Sequence, residues 1–193
     1  MVDIYKILCY IDEYLSDENK WHMIVINDDN KFEIPNIKIL KDKKAGLYFI
    51  KTNIDKNTFS LLPNERSDKS HYNLKERFEQ NIYNEINYNY NIYNDKYYIV
   101  YNGENNNVRN RIQAHIKGYK NNGCLAIEKY KDLIKPNAWK ISWIYIDDII
   151  DKFKEEYPDI EDIRKSTKKN KSFRILLENG WRYRNIWPIF CEE

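Results

Sequence analysis

The stretch that decides the fold is residues 96–118, KYYIVYNGENNNVRNRIQAHIKG. It opens with Tyr97, Tyr98, Ile99, Val100 and Tyr101, whose branched and aromatic side chains suit a pleated, buried surface. The strand is expected to stop at Asn102-Gly103, an ordinary turn dipeptide, and to pass through the polar Glu-Asn-Asn-Asn that follows. Val108, Ile112 and Ile116 then recur at helical spacing. Arg111 and His115 are four residues apart on that helix, so they project from one face, within reach of whatever the strand end presents.

Upstream, residues 45–51 (AGLYFIK) read as a second strand, and downstream residues 138–147 (AWKISWIYID) read as a third. The third alternates Trp139, Ile141, Trp143 and Tyr145 on one face with Lys140, Ser142, Ile144 and Ile146 on the other. Residues 3–16 form a packing helix with Ile4, Ile7, Leu8, Ile11 and Leu15 inward and Asp3 as N-cap. Residues 20–26 and 32–39 read as strands joined by a turn at Asp28-Asp29-Asn30, with Pro35 marking an edge or a bulge. His22, next to Trp21, reads as a packing residue.

Residues 52–95 separate the first two core strands as an insert. Its first part, 53–70, is polar and turn-rich; 71–86 is helical, with Leu74, Phe78 and Ile82 in phase; the following YNYNIYND is low-complexity and reads as a loop. Residues 123–134 read as a helix ended by Pro136, and further helices are expected at 147–156 and 159–166. The basic run Arg164, Lys165, Lys168, Lys169 and Lys171 reads as a solvated connection. A last helix carries Phe173, Leu176 and Leu177 as its core face, with Glu178 beside them.

The expectation is an α+β fold in a single domain, 1–193. It consists of a small three-stranded antiparallel sheet flanked by helices, an N-terminal helix and strand elaboration (1–44), the insert, and a C-terminal helix and tail (170–193). At 193 residues, 42% of them hydrophobic, the chain has room for a full core. Lys+Arg 32 against Asp+Glu 30 leaves a net charge of only +2, so overall charge makes no case for nucleic acid. Three scattered cysteines, Cys9, Cys124 and Cys191, make neither a disulfide framework nor a zinc cluster and point to a reducing cytoplasm. No apolar run approaches a membrane span, and the first residues are too polar for a signal peptide.

The order of these features resembles the GIY-YIG nuclease superfamily. Gly46-Leu47-Tyr48 fits the first signature and Tyr101-Asn102-Gly103 the second; Arg111 falls ten residues after the second tyrosine, His115 four beyond, and Glu178 stands on a late helix. The resemblance implies a Mg²⁺-dependent endonuclease acting on double-stranded DNA, with Mn²⁺ as a possible substitute and Glu178 as the sole protein ligand to the metal. Glu128 is a competitor for that role, but it precedes the third strand, out of the family's order. The family's Pro-aromatic-Asn ending corresponds to Pro188-Ile189-Phe190-Cys191, so the asparagine is replaced by Cys191 or its neighbour.

By the same resemblance Tyr48 activates the attacking water, Tyr101 hydrogen-bonds the phosphate or a metal-bound water, and His115 polarises Tyr48 or relays its proton. Arg111 would neutralise the phosphate, a task its permanent planar cation suits. A free phenol is only about 0.1% ionised at pH 7, so Tyr48 as base requires a lowered pKa, which Arg111 and a metal would favour. No zinc finger, helix-turn-helix or long linker is visible beyond the catalytic unit. The compact plan therefore resembles type II restriction endonucleases, with the insert as recognition element and a homodimer or higher oligomer as the cutting unit. A mobile-element or phage nuclease is the alternative, and a non-catalytic DNA-binding module on the same fold is the alternative of another class.

Overall fold

The computed structural model describes residues 2–35, 39–63, 73–83, 92–93, 97–118, 123–185 and 187–191. Helix α1 (Ile4–Ser16) forms as the periodicity predicts: Asp3 accepts from the Lys6 N–H at 3.2 Å, and Ile7, Leu8, Ile11 and Leu15 are buried. Residues 20–26 do not make one strand. They divide at Ile24, whose N–H is taken by the Trp139 carbonyl at 3.1 Å, into β1 (His22–Met23) and β2 (Val25–Ile26), which lie in different sheets. β2 pairs with β3 (Phe32–Glu33) across the expected turn, and residues 36–38 of the second expected strand are outside the described residues.

Then follow β4 (Gly46–Thr52), α2 (Lys56–Leu61), α3 (Leu74–Tyr83), β5 (Ile92–Tyr93), β6 (Tyr97–Asn105), α4 (Val108–Lys117), β7 (Trp139–Tyr145), α5 (Ile146–Phe153), α6 (Glu161–Lys165) and α7 (Thr167–Asn185). The fold is α+β. The antiparallel sheet runs β1-β7-β4-β6-β5, wider than the three strands expected because two-residue strands extend each side. β4 lies at the centre and is buried at all seven positions.

Strand alternation splits the interior in two. Tyr48 and Ile50 face one core, filled by Val100, Tyr101, Trp139, Ile141 and the apolar side of α4; Leu47 and Phe49 face the other, filled from α1, α5 and α7. Among the described residues no helix is long and apolar enough to cross a membrane.

Besides residues 20–26, further segments depart from the sequence reading. β6 does not stop at Asn102-Gly103; it continues to Asn105, with Gly103 opposite Tyr48 and Asn105 opposite Gly46. Part of the insert is core: α2, capped by Asp55 in a stretch read as polar turns, buries Phe59, with Leu62 buried just beyond it, while α3 forms within the expected 71–86 helix and buries Leu74 and Phe78 against the same cluster. Within YNYNIYND, Ile92 and Tyr93 pair with β6, while 64–72, 84–91 and 94–96 are outside the described residues. Residues 123–134 form no α-helix. Cys124, Leu125, Ala126 and Ile127 are all fully buried, which no single helix face allows, and Ala126 sits in the left-handed region (φ 50°), leaving only a 3₁₀ turn at Ile127–Tyr130. Finally, α7 begins at Thr167, so the lysines expected in a connection lie on its first turns, and its buried face is Phe173, Arg174, Leu177, Trp181 and Arg182 while Leu176 is exposed.

Candidate active site

The residues singled out in β4, β6 and α4 meet on one side of the sheet. Tyr48 and Tyr101 stack with ring centroids 6.0 Å apart, and His115 lies 4.5 Å from the Tyr101 ring. The Tyr48 hydroxyl is 3.1 Å from His115 Nε2 and accepts from Arg111 Nε at 3.2 Å; it is also hydrogen-bonded to Tyr101, as is Arg111. Two glycines make this approach possible. A Cβ on Gly103 would stand 2.3 Å from the Tyr48 oxygen, and one on Gly46 would stand 2.4 Å from the Ile144 carbonyl oxygen, closing the spacing of β4 and β7. Gly103 is thus a strand glycine kept empty for the tyrosine, which explains why it ends no strand.

Helix α4 is held for its task at both ends: Asn107 caps its start, accepting from the Asn110 N–H, and Gly118, left-handed at φ 76°, ends it. The misread segment 123–127 supplies the other half of the anchorage. The Gly123 carbonyl accepts from an Arg111 terminal nitrogen at 2.7 Å, and the Leu125 N–H donates to His115 Nδ1 at 3.2 Å.

Glu178 comes from α7 at the β6 edge. Its backbone carbonyl accepts from Asn102 Nδ2 at 3.4 Å, and its carboxylate is near enough for its charge to act on Tyr48 and on Arg111. Arg182, one turn on, pairs with that carboxylate and also donates to Asn102 Oδ1 (2.8 Å) and Asn102 O (3.0 Å). Next to it Glu104 is held by Arg174 at 2.6 Å. Cys191 is buried with its sulfur 3.4 Å from the Asn102 N–H and 3.3 Å from Asn102 O.

Burial governs the titration of the cluster. It pushes the Tyr48 phenol up to about 12 despite Arg111 and Tyr101, so the lowered pKa expected from Arg111 is not what the protein alone provides. His115 is driven well below the usual imidazole range by burial and then by the Arg111 charge, and stays neutral. Burial raises Glu178 and Glu104 raises it further, with Arg182 and Arg111 opposing. Arg111 titrates above its usual range although burial works against its charge, because the two tyrosines favour the cation.

Glu128 is elsewhere: its carboxylate accepts from the Phe32 N–H at 2.9 Å and fastens β3 to the 3₁₀ turn, a structural duty. His22 stacks on Trp143 at 4.4 Å, as a packing residue should. The basic run is partly neutralised, with Arg164 on Asp147 and Asp151 and with Lys165 and Lys169 on Asp162. The sequence reading passed over Glu104, Arg174, Arg182 and the backbone of Gly123 and Leu125. A signal existed only for Arg182, which stands four residues after Glu178 on the same helix. Compared with known proteins, the chain matches no family model, no curated protein and no solved structure.

Proposed function

We propose that this chain is a metal-dependent endodeoxyribonuclease of GIY-YIG type, resembling the compact type II restriction endonucleases, that works in the cytoplasm on double-stranded DNA. The observation carrying this reading is the convergence of Tyr48, Tyr101, Arg111 and His115, drawn from three elements, into one hydrogen-bonded cluster beside Glu178. Packing alone needs no such cluster, since buried polar groups are costly wherever they are not paired.

Glu178 fits a Mg²⁺ or Mn²⁺ ligand. It is a largely desolvated carboxylate, 14% exposed, with a second carboxylate near it, and a divalent cation relieves both conditions. Among the described residues no group of three or more His, Cys, Asp or Glu surrounds a common point. When bound, the ion would supply charge neutralisation at the phosphate and a more acidic water.

The chain's own groups divide the rest. Arg111, oriented by Tyr48 and the Gly123 carbonyl, stabilises the charge that grows on the phosphate; Tyr101 hydrogen-bonds the same group or its water. Tyr48 orients the attacking water and takes its proton when ionised. The new phosphorus–oxygen bond forms as the bond to the 3′ oxygen breaks, and that oxygen leaves with a proton taken from solvent. A palindromic site would be cut by two copies related by a twofold axis.

Plasmid DNA incubated with the protein and Mg²⁺ tests the reading. Discrete, reproducible fragments that vanish with EDTA support it; a smear leaves a nonspecific nuclease, and bound but uncut DNA in Mg²⁺ and Mn²⁺ rejects the enzyme. The second reading, a DNA-binding module without chemistry, is favoured by one observation: the Glu178 carboxylate is already paired with Arg182.

A further inference from the structure

His115 is fully buried, and both of its ring nitrogens have a partner. At Nδ1 the partner is the Leu125 backbone N–H, at 3.2 Å, which can only donate. Nδ1 must therefore accept and carries no proton. A neutral imidazole with a bare Nδ1 carries its hydrogen on Nε2, which faces the Tyr48 oxygen at 3.1 Å. Turning the ring over would set carbon against both partners, and protonating Nδ1 would set N–H against N–H.

The donor is itself held in place. Leu125 lies between Gly123 (φ 49°) and Ala126 (φ 50°), two left-handed residues that fold the segment into a tight turn, with Cys124, Leu125 and Ala126 fully buried. A left-handed non-glycine residue is strained, so the turn persists because its surroundings hold it. The same turn presents the Gly123 carbonyl to Arg111.

We propose that the Gly123–Ala126 turn is a positioning element of the site, whose Leu125 N–H fixes His115 as a permanent Nε2–H donor to Tyr48. His115 then accepts no proton from Tyr48. It and Arg111 Nε–H both point hydrogens at the phenolic oxygen, so the pair opposes the rise that burial imposes on the phenol. Of the two roles the family resemblance implies for this histidine, polarising and relaying, the turn selects the first. Its chemical meaning rests on the nuclease reading; its geometry does not.

The test is the tautomer itself, read by long-range proton–nitrogen NMR correlation of the imidazoles in metal-free, ¹⁵N-labelled protein. The chain has 3 histidines, and His115→Gln identifies the signals of His115. Expected is the Nε2–H pattern in the wild type, unchanged between pH 8 and 5 and retained in Tyr48→Phe, where the turn still donates but the phenol oxygen is gone. An Nδ1–H pattern, an average of exchanging tautomers, or loss of the pattern in Tyr48→Phe overturns the proposal, the last by making Tyr48 the group that sets the tautomer. Uncut plasmid with the Nε2–H pattern present would reject the nuclease and leave the turn's role standing; cut plasmid with the pattern absent would do the reverse.

Discussion

Two polar clusters are buried against the central strand β4, and they are built on opposite rules. At Lys51 the chain encloses a lysine with no exposure at all, 4.1 Å over the Trp21 ring and 2.5 Å from Glu18, while the cross-strand neighbour Lys140 reaches the same carboxylate at 3.0 Å. Every charge there ends on a partner within the protein, and Glu18 joins the N-terminal residues to β4 and β7. At Tyr48 the described hydrogen bonds of the Arg111 cation run to phenols and a backbone carbonyl. A closed ion cluster serves stability. The second cluster is built from phenols, an imidazole and a cation oriented by them, and the nuclease reading assigns that arrangement to chemistry rather than to stability.

The sharpest way to break that contrast is at the cations and the late carboxylate. Arg111→Ala and Glu178→Gln are each expected to lower plasmid cleavage by about 10²-fold or more with a native circular-dichroism spectrum, as loss of a preorganised charge-stabilising group does. Retained cleavage in either would move that residue out of the site. The converse is expected at the other cluster. Glu18→Gln leaves a buried lysine beside a second one and should cost about 2–3 kcal/mol in denaturant unfolding, less than a fully buried pair because Glu18 is partly exposed. Adding Lys51→Met should recover most of that loss, and cleavage at a permissive temperature should be unchanged throughout.

Gly103→Ala sharpens the comparison from the backbone side. The new methyl displaces the Tyr48 hydroxyl from a 2.3 Å approach, so about 1–3 kcal/mol of overpacking should appear together with a disproportionate fall in cleavage. Cleavage that merely tracks the folded fraction would show that the tyrosine's position is unimportant. The smallest effect belongs to Leu176→Gln on α7: at 49% exposure it should change stability by no more than about 0.5 kcal/mol, where a core leucine would cost several times that.

What could be read in advance followed from periodicity. Helix α1 shows one apolar face, β7 sends Trp139, Ile141, Trp143 and Tyr145 to one side, and α4 places Val108, Ile112 and Ile116 inward beside Arg111 and His115, so each was legible, as were β4 and β6 with Tyr48 and Tyr101. Residues 123–127 defeated the same reasoning. An apolar run buried on every side has no period to detect, and neither the strain at Ala126 nor the destination of the Leu125 N–H is written in residue type. Gly103 was misjudged for a related reason: an Asn-Gly pair signals a turn unless the residue opposite on the neighbouring strand needs the empty space. Arg174 and Arg182 were passed over and are buried, with partners Glu104 and Asn102 that lie about 70–80 residues upstream.

The bond between Arg182 and Asn102 also sets an order in time. During synthesis β6 leaves the ribosome well before α7, and at about 5–20 residues per second the interval between Asn102 and Arg182 is roughly 4–16 seconds. Through that interval the tyrosines, Arg111 and His115 can gather on the nascent sheet, but Glu178 has yet to emerge. On the nuclease reading proposed above, the chain would stay inactive until α7 docks, and a translation arrest before that point would yield a fragment that has Tyr48, Tyr101, Arg111 and His115 but lacks Glu178.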